Sequence, residues 1–124
     1  MSTTYAFVIR ANGEFEVTEW PASRTLNFLQ TTIDCTYVEA VTITPEFTVW
    51  MDEDGRHTGK PVNYAATILH AVNAEPHGFH HGTAVITSGP INGETQGLTS
   101  LQIAKLAEFF LFFAGSRIPE QRTK

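Results

Sequence analysis

Apolar and polar positions change period repeatedly along the chain, and the changes mark its elements. Tyr5-Ala6-Phe7-Val8-Ile9 is unbroken and apolar, the pattern of a central strand covered on both faces. Asn12-Gly13 follows as a tight turn, because Asn-Gly tolerates the positive φ angles that hairpins need. Residues 14–19 then alternate glutamate with Phe15 and Val17, a half-exposed strand with its glutamates in water. Ala22, Leu26, Leu29 and Ile33, with Phe28 beside them, recur at helical spacing. They predict a first helix over residues 21–32, with Pro21 in the first turn. Two β-branched runs, 37–43 and 47–52, are divided by a turn at Thr44-Pro45-Glu46 and read as paired strands.

The pattern returns to helical spacing at Ala65, Ile68, Leu69 and Val72. Asn63 stands where an N-cap would accept from an orphan backbone N–H. Residues 74–82 hold Pro76 and two glycines and read as a loop, 83–87 as a last strand, and the glycine-rich residues 88–97 as another loop. Thr99 and Gln102 have capping-box spacing. A third helix follows, from Ser100 to about Ala114, with Gly115 as its stop. The predicted order is ββαββαβα. It describes an α+β domain over residues 1–115, with a mixed, largely antiparallel sheet of about five strands and three helices, and a flexible basic tail at 116–124.

At 124 residues the chain has the size of one domain and can bury a core without disulfides or a structural metal. Its net charge is −5, which argues against a duplex-binding surface. Up to Asp54 there are nine acidic residues against Arg10 and Arg24, and this excess serves solubility first. Cys35 is the only cysteine, so no intrachain disulfide forms, as expected of a cytoplasmic protein. Met1 to Arg10 lacks a basic segment ahead of its short apolar run, so no secretory signal is expected. No stretch approaches the roughly 20 apolar residues of a membrane span.

Several features together resemble a known family. They are Val8-Ile9 before Gly13, then Asp52-Glu53-Asp54-Gly55, Pro61-Val62-Asn63 and Ala66-Thr67. Gly82, Gly89 and Gly97-Leu98-Thr99 complete the series. In order and spacing the chain is similar to a domain-of-unknown-function family of bacterial, phage and plasmid proteins, up to about the middle of the last helix. That resemblance implies a small cytoplasmic accessory protein and supplies no activity or catalytic residue.

Five features could carry chemistry. His77, His80 and His81 crowd one loop, and Asp52, Glu53 and Asp54 one turn. Together they are the candidate ligands of a metal site or the acid-base groups of a small enzyme. Neither a Cys-x-x-Cys nor a His-Glu-x-x-His is present, so the reading favours a solvated loop, no cofactor and no catalysis. Residues 88–97 precede a helix N-terminus, where phosphate could bind, but the Gly-Lys-Ser/Thr of a P-loop is missing. Trp20, Tyr37, Trp50 and Tyr64 could stack bases, yet no Arg or Lys is interleaved with them. No basic residue neighbours Cys35 in sequence, so an inert thiol is expected.

The last helix is the most unusual stretch. Phe109-Phe110-Leu111-Phe112-Phe113-Ala114 is apolar on every side of a helix, because successive residues turn by about 100°. One packed face cannot bury them all. The expectation is a non-catalytic protein-binding domain, docking a partner protein or a second copy through Phe109, Phe110, Phe112 and Phe113. An acidic decoy of nucleic acid is the remaining alternative. It requires Glu14, Glu16, Glu39 and Asp52 to share one surface.

Overall fold

The structure, a computed structural model, describes residues 3–74 and 78–122, with the side chains of the last helix described as far as Phe112. Strands β1 (Tyr5–Ile9) and β2 (Phe15–Glu19) form the first hairpin. Gly13 takes the left-handed conformation (φ 93°) in its turn, and Asn12 Oδ1 accepts from the Glu14 N–H. There follow α1 (Thr25–Ile33), β3 (Val38–Thr44), β4 (Phe47–Asp52), α2 (Tyr64–Asn73), β5 (Ala84–Ile91), β6 (Glu94–Gln96) and α3 (Ser100–Arg122). The sheet order is β2-β1-β5-β4-β3, with β6 on β5. Each pairing among the described residues is antiparallel. The fold is α+β with the expected element order and one additional short strand.

Strand alternation divides the core into two layers. Ala6, Val8 and Val85 face one side and pack with Leu29 and Ile33 of α1. Phe7, Ile9, Val49, Met51, Ala84 and Ile86 face the other, against Ala66 and Leu69 of α2 and Leu106 and Phe110 of α3. Helices therefore cover both faces, which is why β1 reads as a continuous apolar run. The edge strand β2 is different. Phe15 and Val17 turn to the α3 side but remain nearly half exposed.

Four expectations are corrected. First, α1 starts at Thr25, not Pro21, because Arg24 adopts a left-handed conformation (φ 57°) that interrupts the turn before it. Second, α2 buries Ala66, Leu69 and His70 and leaves Val72 exposed, so its inner face is rotated from the expected stripe. Third, residues 88–97 are not a loop. Asn92 (φ 53°) and Gly93 (φ 80°) turn β5 into β6, the backbone of a two-residue hairpin. Within β5, a Cβ on Gly89 would run into the Pro45 carbonyl oxygen, so that strand can lie against the β3–β4 turn only as glycine. Fourth, Gly115 lies inside α3 rather than at its end; one helical glycine costs only about 1 kcal/mol relative to alanine.

The capping box at α3 forms as expected. The Thr99 N–H donates to Gln102 Oε1 at 2.9 Å and the Gln102 N–H to Thr99 Oγ1 at 3.2 Å. Gln102 Nε2 also donates to the Glu46 carbonyl and to Ser88 Oγ. The same side chain thus starts the helix and fastens it to β5 and the β3–β4 turn.

Candidate functional site

The crossing from β4 to α2 meets the histidine loop ahead of β5. Asp52 ends β4. Its Oδ1 accepts from the Asp54 N–H at 2.8 Å, closing the acidic turn. Its Oδ2 lies 2.9 Å from Lys60 Nζ, and the two side chains are only 7% and 22% exposed. Lys60 Nζ also donates to the carbonyls of Ile33 (3.1 Å) and Asp34 (2.6 Å), at the negative end of α1. The lysine stem passes over Gly82, where a Cβ would come within 2.8 Å of Lys60 Cδ. Gly55 is nearly as tight, for a Cβ there would stand 3.0 Å from the His81 carbonyl oxygen.

Asn63 joins these segments. It caps α2 by accepting from the Ala66 N–H at 3.1 Å. It is fully buried, and its Nδ2 donates to the Ile9 and Gly82 carbonyls at 3.0 and 2.9 Å. Its own N–H donates to the His80 carbonyl at 2.7 Å. Thr67 Oγ1 then accepts from the His80 N–H. These bonds draw His80 into the core.

Beneath them is a buried polar chain. His80 Nδ1 lies 2.8 Å from Met51 Sδ, and His80 Nε2 lies 3.0 Å from His70 Nδ1, between rings stacked at 24°. A thioether sulfur can only accept, so His80 Nδ1 carries the proton. In the neutral ring its Nε2 then accepts, and His70 Nδ1 donates.

A cleft of about 190 Å³ opens beside this chain, lined by Glu39, Met51, Asp52, Glu53, Arg56, His57, Phe79, His80 and His81. The acidic turn and the histidine loop do meet, but their groups are engaged elsewhere. Asp52 holds Lys60, His80 uses each nitrogen on a different partner, and His81 Nδ1 lies 2.9 Å from the Lys60 carbonyl. Asp54 is exposed in the turn, and His77 lies outside the described residues. Among the described residues, no group of three or more His, Cys, Asp or Glu could hold a metal ion. Sequence reasoning missed Lys60 and His70. The His70 signal was its place beside Leu69, four positions after Ala66.

Cys35 is half-buried near this ion pair. Burial raises its pKa above the ordinary thiol value, Asp52 and Asp34 raise it further, and Lys60 opposes them. Lys60→Met should therefore slow Cys35 alkylation at a given pH, and Asp52→Asn should speed it. The methionine variant also strands the Asp52 carboxylate and should lose about 2 kcal/mol of stability. Alkylation rates across pH, paired with urea unfolding, measure both effects. Unchanged alkylation in both variants would contradict this arrangement.

The other sequence candidates separate. Trp50 donates to Thr87 Oγ1 at 2.9 Å and Trp20 packs edge-on against Phe28, so both belong to the α1-side core. Tyr37 and Tyr64 are exposed, on different segments. The phosphate-cradle reading of residues 88–97 loses its loop to the β5–β6 hairpin. The decoy reading loses its surface, because Glu14 and Glu16 are at the β2 edge and Glu39 on β3 at the opposite one. Glu16 is paired with Arg10 and Asp52 with Lys60.

The four phenylalanines of α3 also part company. Phe110 is core, stacked on Phe7 at 5.7 Å and tilted against Phe15 at 4.9 Å. Phe109 is partly buried against the same cluster. Phe112 is 70% exposed, as are Leu101 and Leu111 at 68% each. The Phe113 side chain lies outside the described residues. Beside this face a groove of about 450 Å³ runs between α2, α3 and the β3–β4 turn. Its apolar walls are Ile43, Pro45, Phe47, Leu69, Leu106 and Phe109.

No helix among the described residues is long and apolar enough to cross a membrane. Neither the curated proteins nor the solved structures contain a match to this chain. A family model does match, over residues 3–111, from the segment leading into β1 well into α3. The chain therefore belongs to the domain-of-unknown-function family DUF3846.

Proposed function

We propose that this domain is a non-catalytic protein-binding module, an accessory protein of the cytoplasm whose contact surface is the outer face of α3. The observation that carries the reading is the exposure of Leu101, Leu111 and Phe112, each about two-thirds open to water on one helix. Fully burying such a side chain is worth about 1.5–3 kcal/mol, so covering three together strongly favours association. The adjoining groove supplies further apolar surface. The cleft beside His80 supports catalysis less well, because its buried donors and acceptors already hold one another. The single cysteine is in keeping with a reducing compartment.

A photoreactive side chain at Leu111 tests the reading in the native host, with the same group at Thr31 of α1 as control. Both positions are exposed, on opposite sides of the sheet. Protein adducts should form at 111 and not at 31. Equal labelling at both positions, or none at 111, would count against α3 as the binding face.

A further inference from the structure

The exposed face of α3 has an order of its own. Leu101, Ala104, Lys105, Glu108, Leu111 and Phe112 are all exposed. Their spacing of three and four places them on one stripe, since each residue turns the helix by about 100°. Within that stripe Leu101, Lys105, Glu108 and Phe112 are separated by four, three and four positions. Read in reverse, the series is again apolar, charged, charged, apolar, with the signs exchanged. Such a surface is complementary to itself when turned end for end.

From this we infer that the partner covering the α3 face is a second copy of this chain, its α3 antiparallel to the first about a two-fold axis between residues 106 and 107. This rests on the protein-binding reading of α3. In that arrangement Leu101 meets the partner's Phe112, and Lys105 meets the partner's Glu108. Each contact occurs twice, as two-fold symmetry requires. A parallel pair would instead set lysine against lysine and glutamate against glutamate. Ala104 keeps the middle of the stripe low enough for helix axes to approach to about 8–10 Å. Lys105 already lies 3.0 Å from Glu46 of its own chain, on exposed side chains, and the pairing adds a second carboxylate to the same ammonium. The apolar ends supply the attraction, and the charges fix direction and register. The β2 edge is a poorer self-pairing surface, because Glu14, Glu16 and Glu19 at that edge repel their own copies.

Sedimentation equilibrium of purified chains decides the matter. The wild type should dimerise at micromolar concentrations. Lys105→Glu and Glu108→Lys should each weaken the dimer by about tenfold or more, since each sets like charges together twice. An equimolar mixture of the two variants should associate again, because every contact then joins opposite charges. Circular dichroism confirms that both variants are folded. The inference is overturned if the wild type stays monomeric at high micromolar concentration. It is also overturned if the single variants dimerise as well as the wild type, or if the mixture associates no better than its components. A monomeric wild type that still crosslinks a different protein through position 111 sinks the second-copy inference alone. A monomer with no adduct sinks the binding reading as well.

Discussion

Asn63→Asp should destabilise the fold more than Asn63→Ala, although aspartate is as good an N-cap as asparagine. The alanine variant loses the cap to the Ala66 N–H and leaves the buried carbonyls of Ile9 and Gly82 without their donor. One lost cap at about 1 kcal/mol and two stranded acceptors at about 1–3 each give an expected loss of about 3–7 kcal/mol. Aspartate keeps the cap but directs a carboxylate at those two carbonyl oxygens in a fully buried position. The introduced carboxyl must either pay for burying its charge or stay protonated. Its folded pKa is then raised above the unfolded value of about 3.9. The folded state binds the extra proton, so this variant is most stable at low pH. It loses stability as pH rises from about 4 toward the raised folded pKa, then levels off. Urea unfolding of wild type and both variants at several pH values checks the order and the slope. An aspartate variant as stable as wild type at neutral pH would show that Nδ2 does not hold these segments together.

Phe110→Ala should cost about 3–5 kcal/mol, the usual range for emptying a buried aromatic site. Phe112→Ala, two residues on, should change the stability of the monomer by no more than about 0.5 kcal/mol. The difference follows from position. Phe110 fills the space under β1 and β2 against Phe7 and Phe15, and without it the exposed edge strand loses its cover. Phe112 is 70% exposed, and its removal should appear chiefly in association. Thermal or urea unfolding at low protein concentration separates the two. Equal losses in both variants would mean that the end of α3 is buried on both sides.

Much of this architecture is legible in the chain alone. The apolar run of β1, the alternation of β2, the Asn63 cap and the Thr99–Gln102 box each depend on residues a few positions apart. Backbone geometry converts such spacing directly into strands, turns and helix starts. Asn92-Gly93 was equally local, and its hairpin could have been found by the same rule. The crowding of phenylalanines in α3 was visible too, but not which ring faces inward. That depends on the side of α3 laid against β1.

Tertiary structure decided what no local pattern encodes. The rotation of α2 is set by Asn63, anchored to Ile9 a distance of 54 positions away. That rotation turns His70 inward and leaves Val72 in water. The loop before β5 is polar in composition, and composition predicts hydration. Yet Asn63 and Thr67 bind the His80 backbone, and its ring finds Met51 and His70 in the core. Asp52 and Lys60 likewise read as parts of a charged surface turn until the fold brings them together over the end of α1. A polar side chain can be buried only where its partners are already in place. Here those partners come from other elements, so only the folded chain could decide which polar residues form the surface and which hold the interior.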